Sequence, residues 1–323
     1  MVYSLNLLYK YYSQAYFLRL VDETISKNYH QNFMRCPTHL SIGQEGISAA
    51  FSLLVNQDDF TVSTHRGHYH YLSKGGNLYK FFCEIMGKKD GCSKGKGGSM
   101  HLIDLDCNFM GTSAIVGNSI PLGVGLGLSI KQKNQKSISI VFLGEGATEE
   151  GIFYESLNFS SVKDIPVLFI CENNLYSVYS PIKVRQPKNR KIYQLSKSIG
   201  VQSIHNNGSQ PKKIFSDLKE SMDYVRKKRR PFLLEVDNYR YLEHCGPNKD
   251  DNLNYRTRAE INKWKKKDFL LRIISEIKIN DKNYVNKISS INTHHEKYVN
   301  QAFNKAMNSK NPIQNDAFTS AYA

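Results

Sequence analysis

Ser137-Ile-Ser-Ile-Val-Phe-Leu-Gly-Glu-Gly146 and, after a 26-residue gap, the Asn173-Asn174 that ends Ile165-Pro-Val-Leu-Phe-Ile-Cys-Glu-Asn-Asn174 decide how this sequence is read. Both apolar runs are short, rich in β-branched residues and almost free of charge, the pattern of strands buried on both faces of a parallel sheet. Each run ends in side chains that carry oxygen, and ligands of such sheets bind at the carboxyl ends of the strands. Between them, Ala147-Thr-Glu-Glu-Gly-Ile-Phe-Tyr-Glu-Ser-Leu157 is expected to open a helix, with acidic residues in its first turn and Ile152, Phe153 and Leu157 on one side. A helix N-terminus beside an oxygen-ligand metal site suits a diphosphate, because free backbone N–H groups and the helix dipole both attract anions.

Helix and strand patterns alternate on either side. Helices are expected from about Leu5 to Lys27 and from Gln44 to Val55, where Ile47, Ala50, Phe51 and Leu54 recur at helical spacing. A strand reaching Thr64, a helix from Leu78 to Met86 and a glycine-rich loop from Gly87 to Ser99 follow. Pro121 suits the first position of a helix in which Gly123, Gly125 and Gly127 allow close packing. That GxGxG is no dinucleotide fingerprint, since it does not follow a strand and its spacing is wrong. Beyond a last strand at Pro231 to Val236, the chain turns polar from Arg256, with one amphipathic helix carried by Phe269, Leu270, Ile273, Ile274 and Ile277. The expected organisation is one α/β domain over residues 1–255, with a mostly parallel central sheet and helices on both faces, and a helical, polar extension over 256–323.

The net charge of +15 raises the question of a nucleic-acid partner, with Arg226-Lys-Lys-Arg-Arg230 as the obvious patch. That run closes a helical pattern, where cations complement the dipole and face water, and no aromatic residues interleave with it for base stacking. No nucleic-acid partner is expected. The six cysteines contain no CxxC pair, which gives disulfide and zinc frameworks little support and a reducing compartment as the default. The N-terminus carries Asp22 and Glu23 and no basic cluster with an apolar segment behind it, so the protein is read as cytoplasmic. The weakly polar stretch from Ala114 to Ile130 is broken by Asn118, Pro121 and four glycines, and no membrane span is expected.

The strand, GEG, helix, strand, ENN arrangement resembles the thiamine-diphosphate signature, which is usually GDG followed at a distance by NN. The flanking blocks narrow the resemblance to the alpha subunits of two-subunit 2-oxo acid dehydrogenases. They are His39-Leu-Ser-Ile-Gly-Gln-Glu-Gly46, Ser63-Thr-His-Arg-Gly-His68, Gly91-Cys-Ser-Lys-Gly-Lys-Gly-Gly-Ser-Met-His101, Ile115-Val-Gly117, Phe169-Ile-Cys-Glu-Asn-Asn174 and Tyr239-Arg-Tyr241, together reaching roughly from Leu5 to Trp264. The resemblance implies the thiamine-diphosphate-binding fold, with thiamine diphosphate and Mg²⁺ as cofactors. Glu145, Asn174 and the carbonyl of Tyr176 match the protein ligands of the metal, a hard-oxygen set that suits magnesium. Gly146 and Ala147 continue the same loop. Arg66 matches the diphosphate-binding arginine, whose planar fork suits phosphate oxygens. His65 stands at the cofactor, and Ile115 and Val116 match a segment whose backbone meets the aminopyrimidine, although their side chains suit a plain core equally. His68 and His244 fall where the family places active-site histidines and are the catalytic candidates; His70 stays open between site and core. Lys94 and Lys96 are expected in a structured loop that shapes the channel or meets a partner. Glu45, at a helix start, is expected to cap or pack.

Two positions depart from the family pattern. Glu145 stands where Asp is usual and reaches about 1.5 Å further, one C–C bond. Glu243-His-Cys-Gly-Pro247 replaces a loop that carries a phosphorylatable serine in mitochondrial relatives, and Cys245 cannot serve as that switch. The resemblance implies decarboxylation of a 2-oxo acid, or cleavage of an acetoin-like substrate, with acyl transfer to a lipoyl group on an acyltransferase. It also implies a beta subunit that completes the aminopyrimidine half of the site. The alternatives are the cofactor-binding half of a split transketolase-like transferase and a non-catalytic subunit that kept the fold.

Overall fold

The computed structural model describes residues 3–34 and 36–319. Helices α1 (Leu5–Asn28) and α2 (Glu45–Leu54) precede strand β1 (Phe60–Thr64). Helices α3 (His68–Ser73) and α4 (Leu78–Ile85) lead to β2 (Phe109–Ser113), and α5 (Ser119–Gln132) leads to β3 (Ser139–Gly144). Then come α6 (Gly151–Val162), β4 (Val167–Asn173), a hairpin of β5 (Tyr176–Ser177) and β6 (Ser180–Pro181), α7 (Ile182–Arg185) and α8 (Ile192–Ser198). Strand β7 (Gln202–Asn206), α9 (Pro211–Lys228) and β8 (Phe232–Asp237) complete the sheet, followed by α10 (Arg258–Lys265), α11 (Phe269–Asn280) and α12 (Tyr284–Met307).

The central sheet is parallel throughout, in the order β2-β1-β3-β4-β8-β7. Its inner strands β3, β4 and β8 are apolar on both faces because both faces are covered. Ile140 and Phe142 of β3 point into a core shared with α1, α2 and α9, while Val141 and Leu143 point into a second core with α5 and α6. Gly123 and Gly127 let α5 lie close on that second face: a Cβ at Gly123 would come within 2.1 Å of Val141, and one at Gly127 within 2.6 Å of Ile165. Gly125 faces open space, so only two of the three glycines pack as expected. Helix α5 begins at Ser119, which puts Pro121 inside the first turn and not at its first position. Ile273 and Ile277 of α11 and Val299, Phe303 and Ala306 of α12 are buried in the same core as α1 and α2.

The basic run is built into the structure more than the sequence suggests. Arg226 pairs with the buried Asp59 at 2.5 Å, Arg229 donates to the carbonyls of Gln135 and Ser137 at 2.9 Å each, and Arg230 pairs with Asp164 at 2.7 Å. These contacts fasten the end of α9 to the segments that lead into β1, β3 and β4. No helix among the described residues is long and apolar enough to cross a membrane.

Strand order fixes where a ligand can sit. From β1 the chain moves outward to β2, then crosses back over β1 to β3, so connections leave β1 and β3 on opposite sides. A crevice opens at such a reversal, outside the carboxyl ends of the two strands. His65 and Arg66 directly follow β1, and Glu145 directly follows β3.

Candidate functional site

A cavity of about 200 Å³ occupies this crevice. It brings together His65, Arg66, Ile115, Val116, Glu145, Gly146, Ala147, Asn174, Tyr176 and His244 from the expected set. Ile115 and Val116 are 70% and 51% exposed, so they form its rim and are not core.

One side of the cavity is cationic. Arg66 is buried, donating from Nη1 to Leu40 O at 2.5 Å and from Nη2 to His244 O at 2.9 Å, with no carboxylate hydrogen-bonded to it among the described residues. Burial, with the charge of Arg240 nearby, lowers its pKa to about 9, and it stays charged at neutral pH. His39, His65 and His244 cluster beside it, with ring centroids 4.7 Å apart for His39 and His65 and 5.0 Å for His39 and His244. Burial, then the Arg66 charge, pushes their pKa values down to about 2, 4 and 3, so all three rings are neutral. Nδ1 of His244 faces Arg66 Nη2 at 3.4 Å, which assigns the ring proton to Nε2. Nδ1 of His39 is buried with no hydrogen-bond partner among the described residues. Asp22 and Glu172 offset part of the Arg66 charge from a distance, but a buried cation with no carboxylate bonded to it, ringed by imidazoles and an unsatisfied polar atom, suits an anion with several oxygens.

The other side offers oxygen. The loop after β3 does not open the expected helix at once: residues Glu145–Glu149 form a 3-10 turn, and α6 starts only at Gly151. The turn holds Glu145 facing the cavity, almost fully buried. Burial raises its pKa and the Arg185 guanidinium, 2.6 Å from Oε1, pulls it back part of the way. Gly146 permits the close approach of the hairpin, since a Cβ there would meet Ser177 Oγ at 3.1 Å. Asn174 follows β4, its Oδ1 accepting from Tyr176 N–H at 3.1 Å, and Leu175 between them sits at a left-handed φ of 72°. Strain of this kind concentrates at functional sites. Tyr176 opposes Pro181 in the hairpin, and the bonded rung on one side of that pair is Ile182 N–H to Leu175 O at 2.8 Å. Tyr176 therefore stands in a non-hydrogen-bonded pair, and its carbonyl is not used in the ribbon. A carboxylate, an amide oxygen and a free carbonyl form a donor set for a hard divalent cation, and the cavity as a whole fits a magnesium diphosphate.

His68 and His70 are not brought to the cavity. His68 heads α3, fully buried, with Nδ1 3.0 Å from Asp22 Oδ1 and Nε2 2.7 Å from Ser99 Oγ. The bonding order Asp22, His68, Ser99 copies a hydrolase triad, yet all three are inaccessible, so no substrate can reach the serine. His70 stacks on Phe142 with centroids 3.7 Å apart, held between Ser63 Oγ at 2.6 Å and Glu172 Oε2 at 2.9 Å. Its open status resolves toward the core. Glu45 is buried against Arg19 Nη2 at 2.8 Å, with Gly43 N–H at 2.8 Å, a packing role. The glycine-rich loop is ordered by buried Glu84, which accepts from the N–H groups of Ser93, Gly95, Gly97 and Gly98. This nest of amides is filled by the chain's own carboxylate. The loop that carries Lys94 and Lys96 ends at Met100, which lines the cavity.

Sequence reasoning missed His39, Gln44, Met100 and Glu172 on the cavity wall, and Arg185 behind Glu145. His39 and Gln44 lie within His39–Gly46, the first block that carries the family resemblance, and could have been found there; Arg185 had no motif to mark it.

The family profile described as "Dehydrogenase E1 component" matches residues 13–314. The chain is 32% identical over 313 residues to the pyruvate dehydrogenase E1 component subunit alpha of Rickettsia typhi, covering 97% of this chain and 95% of that protein. It is 31% identical to the mitochondrial pyruvate dehydrogenase E1 alpha subunit of Solanum tuberosum, covering 94% of this chain and 77% of that protein. With the crevice at the β1–β3 reversal, the buried Arg66 and the oxygen set around Glu145, these likenesses lead to one conclusion: the chain belongs to the dehydrogenase E1 component family, among its alpha subunits.

Proposed function

We propose that the chain holds magnesium thiamine diphosphate by its diphosphate end and, with a beta subunit, decarboxylates a 2-oxo acid and passes the acyl group to a lipoyl acceptor. The observation that carries this is the pairing, in one cavity, of a buried arginine that no carboxylate hydrogen-bonds among the described residues and a hard-oxygen donor set. When bound, thiamine diphosphate supplies the electron sink that lets a 2-oxo acid lose carbon dioxide. The residues of this chain do the rest. Glu145, Asn174 and the Tyr176 carbonyl would hold the metal. Arg66 and the neutral rings of His39 and His65 would bind diphosphate oxygens, their N–H groups already oriented by burial. His244 keeps its proton on Nε2 at the cavity wall and would donate it toward the reacting group. His68 acts at one remove, through Ser99, whose hydroxyl also lies 3.4 Å from the backbone N–H of His39. Six free cysteines support a reducing compartment, the cytoplasm.

The exposed Ile115 and Val116 on the rim support a partner that covers the aminopyrimidine end. The test is a dye-linked decarboxylation assay on the chain alone and co-purified with its beta subunit, across a set of 2-oxo acids beginning with pyruvate. Activity is expected only in the assembly. Full turnover by the single chain would overturn the subunit reading.

A further inference from the structure

The segment after the hairpin folds back over the loop that carries Glu145. Arg185 reaches Glu145 Oε1 from Nη2 at 2.6 Å, pairs with Glu149 through Nη1 and donates from Nε to Ser180 O at 3.0 Å. Gln186 adds a bond to Glu149 at 2.9 Å, and Arg190 reaches the Thr148 hydroxyl at 3.1 Å. Arg185 therefore joins the two arms of the site, since its own segment continues from Asn174 and Tyr176. The longer reach of Glu145, compared with the aspartate usual in the family, is spent on this contact. Both side chains of the pair are enclosed, 11% exposed for Arg185 and 2% for Glu145, so water screens the pair little.

We propose that Arg185 is an internal competitor for Glu145, occupying the oxygen a divalent cation would use and so making metal binding depend on the diphosphate that arrives with it. The inference rests on the reading of Glu145 as a metal ligand. A cation on Oε1 must displace the guanidinium. A cation on the other oxygen shares one carboxylate with a fixed positive charge, and that repulsion acts at short range in a poorly screened place. Diphosphate oxygens relieve it, because they supply the negative charge that one carboxylate cannot divide between two cations.

The test is Mn²⁺ binding followed by the spectroscopic signal of the free ion, using the full chain assembled with its beta subunit, with and without thiamine diphosphate. Without diphosphate, Arg185→Gln should bind Mn²⁺ at least tenfold more tightly than the unaltered protein, while Arg185→Lys should stay weak. With diphosphate the gap should narrow. Arg185→Met serves in place of the glutamine variant should that one fail to fold. Equal or weaker Mn²⁺ binding in the glutamine or methionine variant overturns the inference and leaves the proposed function standing. If the unaltered protein binds no Mn²⁺ even with diphosphate, or Glu145→Gln binds it equally well, the metal reading itself falls and this inference with it.

Discussion

Arg66 and Glu145 line the same cavity, each within two residues of a strand end and each buried, yet their surroundings treat them differently. Among the described residues the Arg66 guanidinium is hydrogen-bonded only to carbonyls and a neutral imidazole, with Asp22 and Glu172 acting on its charge from beyond hydrogen-bond distance, so its fork is left for a ligand. Glu145 already has Arg185 on one oxygen. On the proposed reading, a site built this way would take up the anion first, with the metal side held ready but partly neutralised. Charge left unpaired in a protein interior is costly, which is why it is kept where a ligand will meet it.

The largest expected effect attacks the metal side. Glu145→Ala removes the cavity-lining carboxylate directly after β3, and calorimetry should find no magnesium-dependent part left in thiamine diphosphate binding; Glu145→Asp should keep it. Unchanged affinity in the alanine variant would remove the clamp from the account. Next, Arg66→Ala deletes a charged hydrogen-bond donor, a loss of about 1.5–3 kcal/mol, which the same titration would read as roughly 10- to 150-fold weaker cofactor binding.

The histidines sharpen the comparison further, because the cavity and the core each received some of them. His244→Ala should lower kcat more than cofactor affinity, as expected for a group that acts in the transition state. His68→Ala leaves Asp22 and Ser99 buried without a partner. Its main effect should be on folding, about 1–3 kcal/mol, seen as a melting temperature roughly 1.5–4.5 °C lower. If His68→Ala melts normally but turns over poorly, its role is closer to the chemistry than its burial indicates.

The last prediction concerns pH. His39, His65 and His244 have folded pKa values of about 2, 4 and 3 against 6.5 when unfolded, so below pH 6.5 the unfolded chain binds more protons than the folded one. Their contribution to stability is therefore lost progressively as pH falls from 6.5 toward 4, and melts across that window should show it. His39→Asn should flatten the slope, and an unchanged slope would mean that the ring cluster is hydrated.

Strands β3, β4 and β8 were legible because both faces of each are apolar, as in Ile140 to Leu143, whereas the edge strands β2 and β7, Phe109–Ser113 and Gln202–Asn206, carry no such run and were not read from the sequence. Glu145, Asn174 and Tyr176 could be placed on one cavity wall from sequence because each lies within a few residues of the end of β3 or β4. What the sequence hid depends on distance or rotation. His68 and His70 follow Arg66 so closely that all appear to share one site, but α3 starts at His68 and turns both rings into the interior. Arg185 lies in the return of a short hairpin, 40 residues from the carboxylate it meets, and no periodicity announces such a contact. The 3-10 turn after β3 delays α6 by a few residues, a shift that a pattern of acidic residues alone does not reveal.

The most direct test of the account is calorimetric titration of thiamine diphosphate into the chain assembled with its beta subunit, once with Mg²⁺ and once with the metal chelated. Saturable binding that requires the metal, and that Arg66→Ala weakens at least tenfold, is the predicted result. Binding that ignores both the metal and Arg66 would contradict it.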